Sequence, residues 1–146
     1  MANVRGCELP DELLYDVENH TWFKELDGGQ VKVGMTTVAA ALAGQLVAYT
    51  PKRVGRSVRP GKSCATVESG KWVGPAKSLA GGEVVQINDA MLENPGLANE
   101  DPYEAGWLVV LQADNWDEVK GELVAGSEVA PSYEAKMDAD GFDGCA

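Results

Sequence analysis

The residues with chemistry to offer are few: a lysine at a small-residue corner, Ser69-Gly70-Lys71, a single histidine, His20, and three cysteines, Cys7, Cys64 and Cys145. His20 could act as a general base, but no serine or cysteine nucleophile accompanies it. A lone histidine between polar residues and Trp22 is ordinarily structural, bonded to a neighbouring loop. The cysteines are far apart, with no Cys-x-x-Cys and one histidine, which excludes a zinc site of paired ligands. Gly61-Lys62-Ser63 is no phosphate loop. Arg56 stands where the first glycine is needed, and a strand, not a helix, follows. Asp138-Ala139-Asp140-Gly141 lacks the third acidic ligand and the closing glutamate of a calcium loop.

Positioning these groups falls to short strands and turns. Leu13 to Phe23 reads as a strand region broken near Asn19. Asp27-Gly28-Gly29 marks a hairpin turn, and Gln30–Gly34 alternates as a strand. Thr36–Gly44 reads as a short helix, capped by a threonine and stopped by glycine. Leu46–Thr50, Ser63–Glu68, Trp72-Val73 and Glu83–Ile87 are strands separated by glycine-rich turns. Ser69-Gly70-Lys71 is therefore a corner between two strands. Asp89–Glu93 is a single helical turn, and Trp107–Gln112 the most continuous apolar strand. Asp114–Ala125 reads as helical, with Trp116, Val119, Leu123 and Val124 on one side, and a second helix follows Pro131. Residues 1–12 read as an arm and 138–146 as a mobile acidic tail, leaving residues 13–137 as the domain. Cys64, in its strand, is a small core residue.

The chain has 146 residues, enough for one core. Lysine and arginine number 12 against 23 aspartates and glutamates, a formal charge of −11. Such a surface repels phosphate backbones and anionic lipid, so neither nucleic acid nor membrane is an expected partner. No apolar run reaches membrane-spanning length. The first residues hold no apolar signal region, so the expected compartment is the cytoplasm.

A lysine at a turn is ordinarily a solvated charge; its surroundings here are more specific. The chain carries Tyr15…His20-Thr21-Trp22, Gly34-Met35-Thr36, Leu42-Ala43-Gly44, and Pro51…Val54-Gly55…Val58…Gly61. Then come Val67-Glu68-Ser69-Gly70-Lys71, Gly82-Glu83-Val84, Asn88-Asp89, Leu92, Pro95, Leu97-Ala98-Asn99, Pro102-Tyr103 and Gly106-Trp107. In this order they resemble the H protein of the glycine cleavage system, a lipoyl carrier. The resemblance implies a mainly β fold, a lipoyl-domain-like barrel-sandwich hybrid of two small antiparallel sheets with short helices, one of them C-terminal. It implies lipoate covalently attached to Lys71, with Glu68, Ser69 and Gly70 completing the attachment motif. It also implies a cofactor-carrying protein, not an enzyme.

Several positions depart from that pattern. Trp72-Val73-Gly74-Pro75 stands where small residues usually follow the lysine. Gly70 replaces a valine, Leu79 a proline, and Gly44-Gln45 a Gly-Asp pair. The segment Glu68–Pro75 is similar instead to lipoate-binding proteins of sulfur-oxidising bacteria and archaea, H-protein relatives that work with a heterodisulfide-reductase-like complex. The preferred expectation is thus a shuttle in cytoplasmic sulfur oxidation, presenting sulfur-bound lipoamide on Lys71. Its implied partners are that complex, a lipoate-protein ligase, sulfurtransferases and dihydrolipoamide dehydrogenase. The alternatives are a glycine cleavage H protein carrying the aminomethyl group and a non-lipoylated scaffold domain. Cys7 and Cys145, one near each terminus, fit a specialised relative. They are candidates for a disulfide joining the two arms, and free thiols are the alternative because cytoplasmic cysteines ordinarily stay reduced.

Overall fold

A computed structural model describes residues 1–145. The chain opens with a hairpin of β1 (Ala2–Val4) and β2 (Cys7–Leu9). Arg5 and Gly6 link them, both with positive φ (51° and 85°), as a tight two-residue hairpin loop demands. There follow β3 (Leu14–Asp16), β4 (Thr21–Glu25), β5 (Gln30–Met35), α1 (Thr37–Ala43) and β6 (Leu46–Pro51). Next are β7 (Ser57–Val58), β8 (Lys62–Ser69), β9 (Val73–Ser78) and β10 (Gly82–Ile87). The chain continues through α2 (Asp89–Glu93), α3 (Leu97–Glu100), β11 (Val109–Ala113), α4 (Trp116–Lys120), β12 (Val124–Ala125) and α5 (Val129–Asp140).

One antiparallel sheet has seven strands in the order β12-β3-β4-β5-β11-β10-β7; the other has three, β6-β8-β9. The mainly β expectation holds, with two differences: one sheet is larger than expected, and the N-terminal hairpin is a separate third sheet. Phe23, Val31, Val33, Val67, Val84, Val109 and Leu111 share one fully buried core, to which both large sheets contribute. Each such side chain contributes roughly 1.5–3 kcal/mol by leaving water. On β4, Trp22 is fully buried and donates its indole N–H to Pro102 O at 3.0 Å. It pairs across the ladder with Gly34, where an added Cβ would lie 2.3 Å from the indole ring. The bulk of Trp22 therefore requires a glycine on β5.

Three expectations fail here. The helix read over Asp114–Ala125 ends at Lys120, with Gly121 as its C-cap. Val124 and Ala125 instead form β12, which pairs with Tyr15 and Leu14; ladder hydrogen bonds override a helical spacing. The last helix starts at Val129, ahead of Pro131, which sits in its first turn, where a missing N–H costs nothing. Nor are the termini a free arm and a loose acidic tail. Val4, Cys7 and Leu9 from the hairpin pack with Val129, Tyr133 and Met137 from α5 into a second core. Helix α5 runs through Asp138 to Asp140 and ends at Gly141 in the left-handed conformation (φ 66°). Phe142 and Cys145 then fold back onto that second core, and Cys145 N–H donates to Arg5 O at 3.0 Å. Arg5 ties the two ends again, through its Nε to Glu134 at 2.9 Å and its Nη1 to Phe142 O at 3.0 Å. Ala146 lies outside the described residues.

Cys7 and Cys145 form a disulfide across Cα atoms 5.0 Å apart, closing a loop that spans 138 residues of sequence. Cys64 is free and fully buried on β8, and burial pushes its thiol up to about 12. Thiol titration of the unfolded, unreduced protein is therefore expected to find one thiol and of the native protein none. Cys145→Ser is expected to lower the unfolding free energy by about 3 kcal/mol. Three thiols in the unreduced chain would show that the pair does not form.

Candidate functional site

Strand β8 alternates buried Ala65, Val67 and Ser69 with exposed Thr66 and Glu68, and pairs along both edges, with β6 and β9. It is a central strand, and its end is correspondingly fixed. The chain reverses over Ser69–Trp72, closed by Ser69 N–H to Trp72 O at 2.7 Å. Ser69 Oγ accepts from the Lys71 N–H at 3.3 Å, so this nearly buried serine holds the corner together. Gly70 and Lys71 are exposed at its tip, and Glu68 is exposed on β8 beside it. The structure thus brings Glu68, Ser69, Gly70 and Lys71 together as one turn, with Ser69 shaping it.

The Lys71 side chain does not point straight into solvent. It lies across Gly44, the residue that ends α1. A Cβ at Gly44 would come 3.0 Å from Lys71 Cε and 3.7 Å from its Nζ. Gly44 has φ 82° and ψ −173°, a conformation essentially reserved for glycine. Asn99 on α3 straps this point on both sides, donating Nδ2–H to Gly44 O at 2.8 Å and accepting from Leu46 N–H at 2.9 Å. The spacing shows Gly44 as a helix stop; its second role, as a cradle for the lysine stem, depends on a contact 27 residues away in sequence and has no local signal.

Beside the turn lies a cavity of about 240 Å³. With each water taking about 30 Å³, it has room for a chain of several methylene groups. Its lining includes Met35, Leu42, Ala43, Val67, Trp72 and Ala76, together with Asn19, His20 and Thr21. Trp72, 42% exposed, folds its indole over Gly74, where a Cβ would be 2.3 Å from the ring. Gly74 thereby lets the tryptophan form part of the wall. An exposed lysine stem in a glycine cradle, next to an apolar cavity, fits an acyl chain linked through an amide. The sequence shows none of the cavity residues as a group, because they come from α1, β4, β5, β8, β9 and the turns beside them.

His20 is structural, as its sequence neighbours imply. Its φ of 56° is rare for a side-chain-bearing residue. Its carbonyl accepts from Thr36 N–H at 3.1 Å, and its ring stacks on Tyr133 with Nδ1 3.2 Å from the phenol oxygen. Burial, then the charge of Lys136, lowers its pKa below the usual 6.5. Among the described residues no group of three His, Cys, Asp or Glu side chains is gathered as a metal site would need, and no helix is long and apolar enough to cross a membrane.

Two outcomes test these roles. Gly44→Ala is expected to cost about 1–3 kcal/mol in denaturant unfolding and to displace the Lys71 stem; an unchanged unfolding midpoint would deny the cradle. The unfolded chain protonates His20 more readily than the folded one, so His20 contributes stability that is lost as pH falls below the usual 6.5. Urea unfolding of wild type and His20→Gln on either side of that value is expected to show this component only with the histidine present.

Comparison with known proteins agrees with this geometry. The family profile described as glycine cleavage H-protein matches residues 13–136. Glycine cleavage system H protein 5 of Aquifex aeolicus is 49% identical over 134 residues, covering 89% of this chain and 90% of its own. A protein of Sulfurisphaera tokodaii named probable glycine cleavage system H protein 2 is 44% identical, covering 87% of this chain and 86% of its own. The crystal structure of a glycine cleavage system H protein from Mycobacterium marinum superposes with a TM-score of 0.75 at 33% identity, covering 89% of this chain and 99% of that one. Proteins of this family carry lipoate on a lysine and are carriers, not catalysts. With a profile match across most of its length, a shared fold and an exposed lysine on a stiff turn, the chain belongs to the glycine cleavage H-protein family.

Proposed function

We propose that Lys71 is the residue that carries the lipoyl group and that the chain shuttles this arm between partner enzymes. The observation that carries the reading is the placement of Lys71: exposed on a turn fixed by Ser69, cradled by Gly44 and bordered by an apolar cavity. When bound, the lipoyl group supplies a dithiolane that takes up and releases a cargo. The chain's own residues hold the arm's base, limit where it reaches, and raise its effective concentration at a docked partner. A lipoate-protein ligase and a dihydrolipoamide dehydrogenase are the partner classes this chemistry requires, and the cytoplasm is the compartment where we place it.

For the cargo, the family and the names of its relatives support the aminomethyl group of glycine cleavage above the sulfur cargo expected first from the sequence. One observation keeps the sulfur reading as a second. The segment that resembles sulfur-oxidation carriers, Glu68–Pro75, contributes Trp72 and Pro75 to the cavity wall, with Trp72 folded over Gly74. In that reading the partners are a heterodisulfide-reductase-like complex and sulfurtransferases.

Intact mass of the protein from its native host is expected to show one lipoyl increment, absent in Lys71→Ala. A native mass without it would sink the carrier reading and leave the scaffold alternative. Lipoate-dependent exchange of glycine with labelled bicarbonate, in the presence of glycine decarboxylase, is expected if the cargo is aminomethyl. Its absence with fully lipoylated protein would favour the sulfur cargo.

A further inference from the structure

The two sulfurs of the Cys7–Cys145 disulfide are placed unequally. Cys7 is fully buried in the second core, whereas Cys145 is half-buried and lines an open cleft of about 320 Å³ with Glu8, Thr37, Ala40, Ala41 and Asn99. This cleft is distinct from the cavity beside Lys71: α1 turns Ala39, Leu42 and Ala43 to the cavity and Thr37, Ala40 and Ala41 to the cleft. A thiol arriving from solution therefore meets Cys145 Sγ, and Cys7 Sγ is the leaving group. Cys145 Sγ lies 3.6 Å from Thr37 O, so a thiol formed there has an acceptor in place. Breaking the bond leaves the ends together, because Cys145 N–H still donates to Arg5 O and Arg5 still holds Glu134 and Phe142 O. The bond can then form again. In the cytoplasm, where we place the chain, disulfides are mostly transient and redox-active.

This arrangement selects the reductant. A monothiol leaves a mixed disulfide on Cys145 beside the Cys7 thiol, whose Cα is 5.0 Å away, and the pair recloses. A 1,3-dithiol escapes that reversal, because its second sulfur closes a ring on its first. Glu8 is the one charged side chain among the described residues lining the cleft, on a chain of formal charge −11, so an anionic thiol is repelled where a neutral one is not. A dithiol at the end of an acyl arm on Lys71 meets both conditions and has the reach. Lys71 Nζ sits at the end of α1, 3.7 Å from where a Cβ of Gly44 would be, and Cys145 Sγ sits at its first residue, Thr37. The seven residues of α1 rise about 10 Å, and an extended eight-carbon acyl chain spans about 9 Å. Asn99 joins the two places, lining the cleft while donating to Gly44 O at 2.8 Å.

We propose that the Cys7–Cys145 pair is a second redox centre of this protein, opened through the cleft by a neutral 1,3-dithiol, and that this dithiol is the reduced end of the arm on Lys71 of the same chain. Cys145 Sγ bonds to one sulfur of the dithiol as its bond to Cys7 breaks, and Cys7 Sγ takes the electron pair and a proton. The second sulfur of the dithiol then displaces Cys145 Sγ, which takes the other proton. The dithiol is oxidised to a cyclic disulfide by two electrons, and the cysteine pair is reduced to two thiols. This role rests on the reading of Lys71 as the arm-bearing lysine and goes beyond it, by giving the arm an electron acceptor within its own chain.

Two full-length samples with the pair closed are compared, one lipoylated at Lys71 and one unacylated, each verified by intact mass. Both are treated with dihydrolipoamide dehydrogenase and NADH, stopped with acid, unfolded and alkylated, and the labelled cysteines are located by peptide mass. Cys7 and Cys145 are expected to be labelled in the lipoylated sample alone, at a rate independent of protein concentration. In the unacylated sample, free dihydrolipoamide is expected to open the pair at least about tenfold faster than glutathione at equal thiol concentration, with glutathione adducts on Cys145 and not on Cys7. Ala41→Leu, at an exposed position of α1 bordering the cleft, is expected to slow opening about threefold to tenfold by blocking access, with an unchanged unfolding midpoint. A reduced arm that leaves both cysteines unlabelled, a rate proportional to protein concentration, or adducts on Cys7 would each overturn the inference. A native protein without lipoate would refute the carrier reading, whereas a pair that free dihydrolipoamide cannot open refutes this inference alone.

Discussion

In the carrier role proposed for Lys71, the lysine has to be exposed to be reached by partner enzymes, yet an acyl arm free in water would expose its apolar chain. The Ser69–Trp72 turn reconciles the two demands. It closes on a backbone hydrogen bond of 2.7 Å at the end of β8, a strand paired on both edges, so the tip inherits the stiffness of the sheet. The lysine stem is then laid across Gly44, whose missing side chain is the space the stem occupies. Asn99 fixes Gly44 from behind. From this one turn follow the requirement for glycine at 44, for glycine at 74 beneath Trp72, and for a short α1 that stops where it does.

The second core bears on the same site from the other side. Helix α5 presents Tyr133 to His20, and His20 borders the cavity. The N-terminal hairpin and the C-terminal segment are joined to each other by the Cys7–Cys145 disulfide and by Arg5, and they cover α5 and the start of α1. The termini therefore work as a clasp around the cavity's supporting wall. Charge is distributed unevenly over this frame. Lys52, Arg53, Arg56, Arg59 and Lys62 fall in a stretch without a single carboxylate, and Lys62 begins β8 while the Lys71 turn follows its end. The rest of the molecule thus carries a formal charge of −16 against +5 in this stretch, so complementarity to a basic partner belongs to the remaining surface.

Much of the architecture was legible because it is local. Gly28-Gly29 had to turn, Thr36 had to cap, and the alternation from Gln30 to Gly34 had to be a strand; each is decided by conformational preference within a few residues. The reading failed where distant partners decide. Trp116 to Val124 keeps a helical spacing, yet Val124 and Ala125 are taken by the open edge of β3. The acidic C-terminal residues look solvated in isolation, yet Tyr133 and Met137 on the same helix are buried, and the helix carries the acidic residues with it.

The sequence by itself determined that the protein is an acidic, mainly β chain and that Lys71 sits at a small-residue corner between two strands, because turn chemistry and strand alternation are written in neighbouring residues. Only the tertiary structure decided what surrounds that lysine. The cavity, the cradle at Gly44 and the clasp of the termini all join residues tens of positions apart. Their positions follow from how the sheets and α1 pack together, and packing is a property of the whole core that no local stretch of sequence contains.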